Sequence, residues 1–278
     1  MRILYLKKKE LQYILKMNSS ENILEVKTVQ SGAFRILVEA LKEILTDANL
    51  EFDQSGLKIM AMDSSHTVLV HLKLHSDNFE HYSITKDRVV LGVNMINFFK
   101  LIKTMGNSDT LSLFVKEGKE SKLGILLENV EKNIKTQYEL NLMDIDEEMM
   151  SIPPAAFESV ITMPSVDFQK ICRDMHNLAE DIEIQSVGSE LQFRCKGEFA
   201  SQETVLGETN SGMSYVKNTK PDEIIQGLFA LKHLVLFSKC TNLCPSIELY
   251  LKNDYPLIIK YLVASLGEIK LCLAPKIE

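Results

Sequence analysis

Asp63, Ser65 and His66 stand together in Asp63-Ser64-Ser65-His66, and their side chains are the three types that a nucleophilic triad uses. A triad is assembled in space from separated segments, and immediate neighbours in a chain rarely aim at one another in the required order. The cluster is therefore not read as a catalytic constellation. Cys240-x-x-x-Cys244 offers one pair of soft ligands without the second pair that a structural zinc site needs. His71 and His75 are four apart in a strand-like stretch, which sets both on one face as surface histidines. No glycine-rich phosphate loop is present. The expectation is a protein with no catalytic residues, no metal and no cofactor. A small hydrolase built on Asp63, His66 and Cys195 is the competing reading. It requires turnover of a substrate, a monomer and a deep polar pocket.

The basic residues point to another chemistry. Arg35 and Lys42 are seven apart, as are Lys232 and Lys239; Lys100 and Lys103 are three apart, as are Lys170 and Arg173. On a helix, each spacing puts both members of a pair on one face. Any one pair is an ordinary solvated face. Four pairs, in a chain whose net charge is −7, suggest one local basic surface lined by helices. Glu39 and Glu43 dilute the first of them.

The elements that carry these pairs recur. Phe168 follows Phe34 by 134 positions, and each opens a run of helical apolar spacing: Phe34, Leu37, Val38, Leu41 and Leu45, then Phe168, Ile171, Cys172 and Met175. Ser246-Ile247-Glu248-Leu249-Tyr250-Leu251-Lys252 echoes Thr110-Leu111-Ser112-Leu113-Phe114-Val115-Lys116 at an offset of 136. Two landmarks with nearly one spacing imply two similar domains in tandem. Helices are expected over roughly 31–46, 93–105, 165–178 and 229–240, two per half, with Ser165 as N-cap of the third. Alternating stretches such as Leu57–Met62, Val68–Leu74, Glu183-Ile184 and Leu191–Phe193 predict strands. Gln54-Ser55-Gly56, Gly106–Asp109 and Asn253-Asp254 supply turns between them. The fold class expected is α+β: two tandem domains of antiparallel sheets with two short helices each.

The expected bounds are an N-terminal extension over 1–27, a first domain over 28–141, a connector over 142–154 and a second domain over 155–278. The extension is basic at its start, with Arg2, Lys7, Lys8, Lys9 and Lys16 against Glu10 within its first sixteen residues. The connector carries four acids between 144 and 148 and ends on Pro153-Pro154, which favours an extended backbone. Its Met149, Met150 and Ile152 could pack ordinarily or form an adaptable partner surface. At 278 residues each half is long enough to bury its own core. Hydrophobic residues make up 45% and charged residues 25%, ordinary for a soluble protein. No apolar run has the length of a membrane span, and no secretory leader is evident. Five scattered cysteines read as reduced thiols in an intracellular protein.

Several stretches together resemble the eukaryotic-type DNA sliding clamps, the proliferating cell nuclear antigen family. They are Met62-Asp63-Ser64-Ser65-His66, Leu91-Gly92-Val93-Asn94-Met95, Leu142-Met143-Asp144-Ile145-Asp146, Met163-Pro164-Ser165, Ile171-Cys172-Arg173-Asp174, Gly197-Glu198 and Leu273-Ala274-Pro275-Lys276-Ile277-Glu278. They keep the family's order and spacing over about 27–278. The resemblance implies a DNA polymerase processivity factor: a homotrimeric ring around duplex DNA, with helices lining the hole, that catalyses nothing. DNA-facing residues would be Arg35, Lys42, Lys100, Lys103, Lys132, Lys170, Arg173, Lys232 and Lys239. A partner pocket would use Met62, His66, Leu69, Met150, Ile152, Pro256, Cys272, Ala274, Pro275 and Ile277. Thr104, Lys132, Tyr138, Met175 and Leu178 would lie at the subunit interface, where edge strands near 133–140 and 199–206 pair between chains. Implied partners are DNA without regard to sequence, further copies of the chain, a DNA polymerase, a clamp loader and other replication and repair proteins bearing a clamp-binding motif. No membrane is involved. The implied site of action is the nucleus, or a viral replication compartment if the source is viral.

The sequence departs from the family pattern in places. Gly188 stands where members commonly carry a modified lysine, and Cys272 replaces an aromatic residue of the partner pocket. The chain stops at Glu278 with no acidic tail, and Met17 falls near where a clamp is expected to begin. A subunit of a heterotrimeric or regulatory clamp paralogue is the alternative within the same fold.

Overall fold

The computed structural model describes residues 22–146, 155–218 and 223–276. Both halves run through one order of strands and helices. The first comprises β1 (Asn22–Thr28), α1 (Ser31–Ile44), β2 (Asp47–Asp53), β3 (Gly56–Met62), β4 (Val68–His75), β5 (His81–Ile84), β6 (Arg88–Asn94), α2 (Met95–Ile102), β7 (Thr110–Lys116), β8 (Lys122–Asn129) and β9 (Ile134–Asn141). The second comprises β10 (Ser159–Pro164), α3 (Ser165–His176), β11 (Asp181–Val187), β12 (Glu190–Lys196), β13 (Ser201–Gly207), β14 (Ser214–Lys217), β15 (Ile224–Ala230), α4 (Leu231–Phe237), β16 (Ser246–Leu251), β17 (Leu257–Val263) and β18 (Gly267–Leu273). The strand pairings are antiparallel.

Local sequence accounts for these elements. β4 buries Val68, Val70, Leu72 and Leu74 and leaves the residues between them partly open, the alternation of a sheet with one covered face. α1 buries Phe34, Leu37, Val38, Ala40 and Leu41, and Phe34 meets Phe98 of α2 edge to face at 6.3 Å. Asn94 caps α2, its side-chain oxygen accepting from the Asn97 amide at 3.0 Å.

Three expectations need correction. Ser165 is not a cap: Pro164 holds that position, and the Ser165 hydroxyl donates to the Cys244 carbonyl at 2.7 Å. The buried hydroxyl also lies 3.3 Å from the Thr241 carbonyl, and so ties α3 to the turn that follows α4. Lys239 lies outside α4, in a 3-10 turn over Ser238–Leu243. The fold begins before residue 28, because β1 pairs with β5 on one side and β7 on the other from Asn22 onward. Leu24, Val26 and Thr28 of that strand are buried.

Sheet order explains how the halves join. Each half makes one five-stranded sheet and one four-stranded sheet, in the orders β5-β1-β7-β8-β9 and β4-β3-β2-β6, then β14-β10-β16-β17-β18 and β13-β12-β11-β15. β18 then pairs with β4, from Gly267 opposite Leu74 to Leu273 opposite Val68, and fuses two of the four into a nine-stranded sheet. Gly267 is required at this seam, since a Cβ there would come within 2.0 Å of the Lys73 carbonyl oxygen. Gln30 clasps the seam's end: its amide donates to the Ser265 hydroxyl at 2.8 Å and accepts from the Ser265 main chain at 3.1 Å. The helices pack within each half, α1 against α2 and α3 against α4, and across the boundary where α1 meets the Ser238–Leu243 turn and α4.

Candidate functional surfaces

The helix layer carries the first candidate surface. Lys100, Lys103, Lys170, Arg173, Lys232 and Lys239 are exposed. None of them forms an ion pair among the described residues; Lys100 touches only the Asn97 side chain, at 3.4 Å. Cations on the strands and their turns are arranged otherwise: Arg88 pairs with Glu51 at 2.7 Å, Lys122 with Glu139 at 2.9 Å, Lys135 with Glu128 at 2.6 Å and Arg194 with Glu203 at 2.6 Å. Several strand cations are thus neutralised by a neighbouring carboxylate, whereas these six cations of the helix layer are not. Lys132 is exposed in the turn between β8 and β9.

Two residues of the expected set are placed differently. Lys42 is mostly covered, ion-paired with Glu43 and held over the Phe99 ring at 5.0 Å. Arg35 is half-buried, with its Nε buried and without a hydrogen-bond partner among the described residues. Lys42 is thus engaged within the chain, while Arg35 is only partly open.

The second surface is an apolar row on the outer face of the nine-stranded sheet. Met62 lies opposite Leu69, Leu69 opposite Cys272, and Cys272 opposite Ile258, so four side chains stand side by side across β3, β4, β18 and β17. The row sits on the seam between the halves. The next row along the sheet is polar, with His71 opposite Lys270 and Lys270 opposite Lys260. Burial and the nearby Lys270 hold the His71 imidazole below its ordinary range. Ala274 donates to the Thr67 carbonyl at 3.1 Å, which brings Ala274 and Pro275 against the turn that displays His66. Pro256 precedes β17 and is half-buried. Met150, Ile152 and Ile277 lie outside the described residues. Cys272 is only 6% exposed, and burial pushes its thiol up to about 11. Ile258 was not anticipated; the register of the β17–β18 hairpin, once its turn is fixed, puts it beside Cys272.

The Asp63–His66 turn is structural. The Asp63 carboxylate accepts from the amides of Thr67 and Val68, each at 2.8 Å, and from the Ser65 hydroxyl. Burial alone would raise its pKa, but these hydrogen bonds bring it below the ordinary range. His66 is exposed with a positive φ of 53°, and Cys195 is buried in the second half. The three residues do not converge, so the hydrolase reading has no site.

The third surface consists of two sheet edges. β9 ends one sheet and β13 another, each with a neighbour on one side only. Tyr138 on β9 is half-buried and Ile134 is 53% exposed; Val205 on β13 and Phe199 just before it are 46% and 79% exposed. Thr104 is exposed after α2, and Leu178 is half-buried after α3. Met175 is fully buried in the core of its own half, so its side chain is not displayed at either edge.

Two copies of one domain, a layer of unpaired cations on helices and an open sheet edge in each half are the attributes of a sliding clamp. The model of the proliferating cell nuclear antigen N-terminal domain matches residues 23–150, and that of the C-terminal domain matches residues 151–276. The chain is 35% identical over 263 residues to the "Probable DNA polymerase sliding clamp 1" of Paramecium bursaria Chlorella virus 1, across 93% of this chain and 99% of that protein. The chain belongs to the proliferating cell nuclear antigen family. It is a non-enzymatic processivity factor of DNA replication.

Proposed function

We propose that three copies of this chain close into a ring around duplex DNA by repeating, between chains, the seam that already joins the halves within one. The observation that carries this is an equivalence of strands. β9 holds the place in the first half that β18 holds in the second, and β13 corresponds likewise to β4. β18 pairs with β4, whereas β9 and β13 are both open. Carrying the register over through the hairpins puts Thr136 opposite Thr204, Tyr138 opposite Gln202 and Leu140 opposite Ala200. On the other face, Lys135 meets Val205, Gln137 meets Glu203 and Glu139 meets Ser201. No like charges oppose each other, which favours pairing of identical chains over a heterotrimer. Closure also removes two open edges that are otherwise prone to uncontrolled association.

Within the ring, Lys100, Lys103, Lys170, Arg173, Lys232 and Lys239 face the DNA. Free of carboxylate partners, they gain from counterion release on meeting phosphates. Phosphate contacts position without reading bases, which suits a protein that must slide. The Met62–Leu69–Cys272–Ile258 row receives short apolar anchors from a DNA polymerase, a clamp loader and other motif-bearing replication and repair proteins. The place of action is the nucleus, or a viral replication compartment. Size-exclusion chromatography with light scattering tests the assembly: a mass of three chains at micromolar concentration is expected, and a persistent monomer overturns it.

A further inference from the structure

Two exposed apolar side chains stand in line with the free cations of the helix layer. Among the described residues, Ile96 on α2 and Val166 on α3 are the large apolar side chains that stand exposed on a helix, at 44% and 59%. Each is the second residue of its helix, and the faces beneath are buried at the same steps: Met95, Phe98 and Ile102 on α2, Ser165, Phe168 and Cys172 on α3. Four and seven positions after Ile96 come Lys100 and Lys103; four and seven after Val166 come Lys170 and Arg173. At about 3.6 residues per turn these steps return to about +40° and −20°. Each helix therefore carries one narrow stripe, an aliphatic residue followed by two cations.

The stripe specifies a ligand. A single exposed valine or isoleucine is ordinary on a protein surface. The same type at the same place on two helices, each time aligned with two cations that lack carboxylate partners, is a pattern. β-branched residues are mediocre helix formers, so these two exposed positions gain little packing and no propensity in the chain by itself. Asp167 and Asp174 lie about a quarter turn off the α3 stripe, and Asn97 and Thr104 hold those places on α2, so no acid interrupts either stripe. Unpaired cations call for an anionic ligand, and the aliphatic group one turn away calls for apolar surface between its charges. The backbone of duplex DNA offers both, phosphates along each strand and the carbon–hydrogen faces of deoxyribose between them. Neither carries base identity, so both suit a contact that must slide.

We propose that Ile96 and Val166 rest against the deoxyribose of the strand whose phosphates Lys100, Lys103, Lys170 and Arg173 hold, and so supply a salt-independent part of the DNA contact. This rests on the DNA-facing reading of the helix layer given above. Phosphate contacts release counterions and set the slope of log K against log salt, whereas apolar contacts shift K at constant slope. Fluorescence anisotropy separates the two, with a labelled duplex of about 30 base pairs titrated with the full chain from about 50 to 200 mM salt. Ile96→Thr combined with Val166→Thr keeps β-branching and should weaken binding about fivefold at every salt concentration, with the slope unchanged. Lys100→Gln combined with Lys170→Gln should flatten the slope. Val216→Thr, at a 67% exposed position on β14, should change neither. The proposal is overturned if the double threonine variant binds as the parent does, if it alters the slope, or if Val216→Thr weakens binding as much. If the lysine variant leaves the slope unchanged, the DNA-facing reading itself falls, and this proposal with it.

Discussion

The amide of Met143 and the carbonyl of Gly92 are 2.9 Å apart, and through this contact the connector leaves the first half pinned to β6. Gly92 makes the approach possible, because a Cβ on it would stand 2.0 Å from the Met143 carbonyl oxygen. Gly92→Ala should therefore release the start of the connector while leaving the core intact. Hydrogen exchange at the Met143 amide is expected to quicken by an order of magnitude or more, with the core strands unchanged. Equal protection in both proteins would show that the contact does not hold the connector.

Ring closure by the transposed register makes a positional prediction. Thr136→Cys combined with Thr204→Cys should cross-link chains into covalent trimers on mild oxidation. Thr136→Cys with Glu203→Cys, one residue out of register and on opposite faces, should not. Tyr138→Ala should shift the assembly toward monomer on dilution. Denaturing gel electrophoresis and light scattering read the two results.

The free cations of the helix layer should set the coupling to DNA. Changing Lys100, Lys103, Lys170 and Lys239 together to Glu is expected to leave the circular dichroism spectrum unaltered. Stimulation of polymerase on circular primed DNA should be lost. Direct DNA binding by the unaltered chain should be weak, in the ~10⁻⁴–10⁻⁶ M range of non-specific contacts, and should fall steeply with salt. Full processivity from the quadruple variant would remove these residues from the DNA-facing set.

Periodicity carried most of the fold. The helices over 31–44, 95–102, 165–176 and 231–237 were visible because each repeats its buried residues at helical spacing, and the doubled landmarks gave the tandem halves. What failed was local competition that a one-dimensional pattern does not encode. Ser165 looks like a cap, but buried carbonyls of a distant turn take its hydroxyl. Arg35 and Lys42 have the spacing of a free basic face, yet Phe99 and Glu43 cover the second of them. The part played by Asn49, whose side chain donates to the Ile145 carbonyl at 3.0 Å, was invisible, since it depends on a segment 96 positions away.

The proposal that the apolar row at the seam receives partner peptides is tested by substitution within it. Met62→Ala should weaken a polymerase-derived clamp-binding peptide about tenfold by removing buried apolar surface. Cys272→Tyr restores ring area beside Leu69 and Ile258 and should tighten it. Calorimetry measures both, and unchanged affinity in each would place the pocket elsewhere.

Asp53 should contribute an acid-dependent increment of stability. Burial alone would raise its pKa, but hydrogen bonds from Lys58 and Ser55 lower it from 3.8 to about 2. The charged carboxylate is the favoured folded form, so its contribution is complete above 3.8 and disappears as pH falls through about 2. Asp53→Asn should lower the melting temperature by roughly 2–4 °C near neutrality. The gap between variant and parent should close as the solution is acidified through that window.

The β18–β4 seam makes a stiff joint between the halves. Bending it at the middle would break a continuous ladder running from Gly267 opposite Leu74 to Leu273 opposite Val68, together with the Gln30–Ser265 clasp. Mechanical load is therefore passed from one half to the other through backbone hydrogen bonds, and strain collects at the two ends. Opening the proposed ring would mean prising apart β9 and β13, where no covalent link and no clasp from the same chain would resist separation.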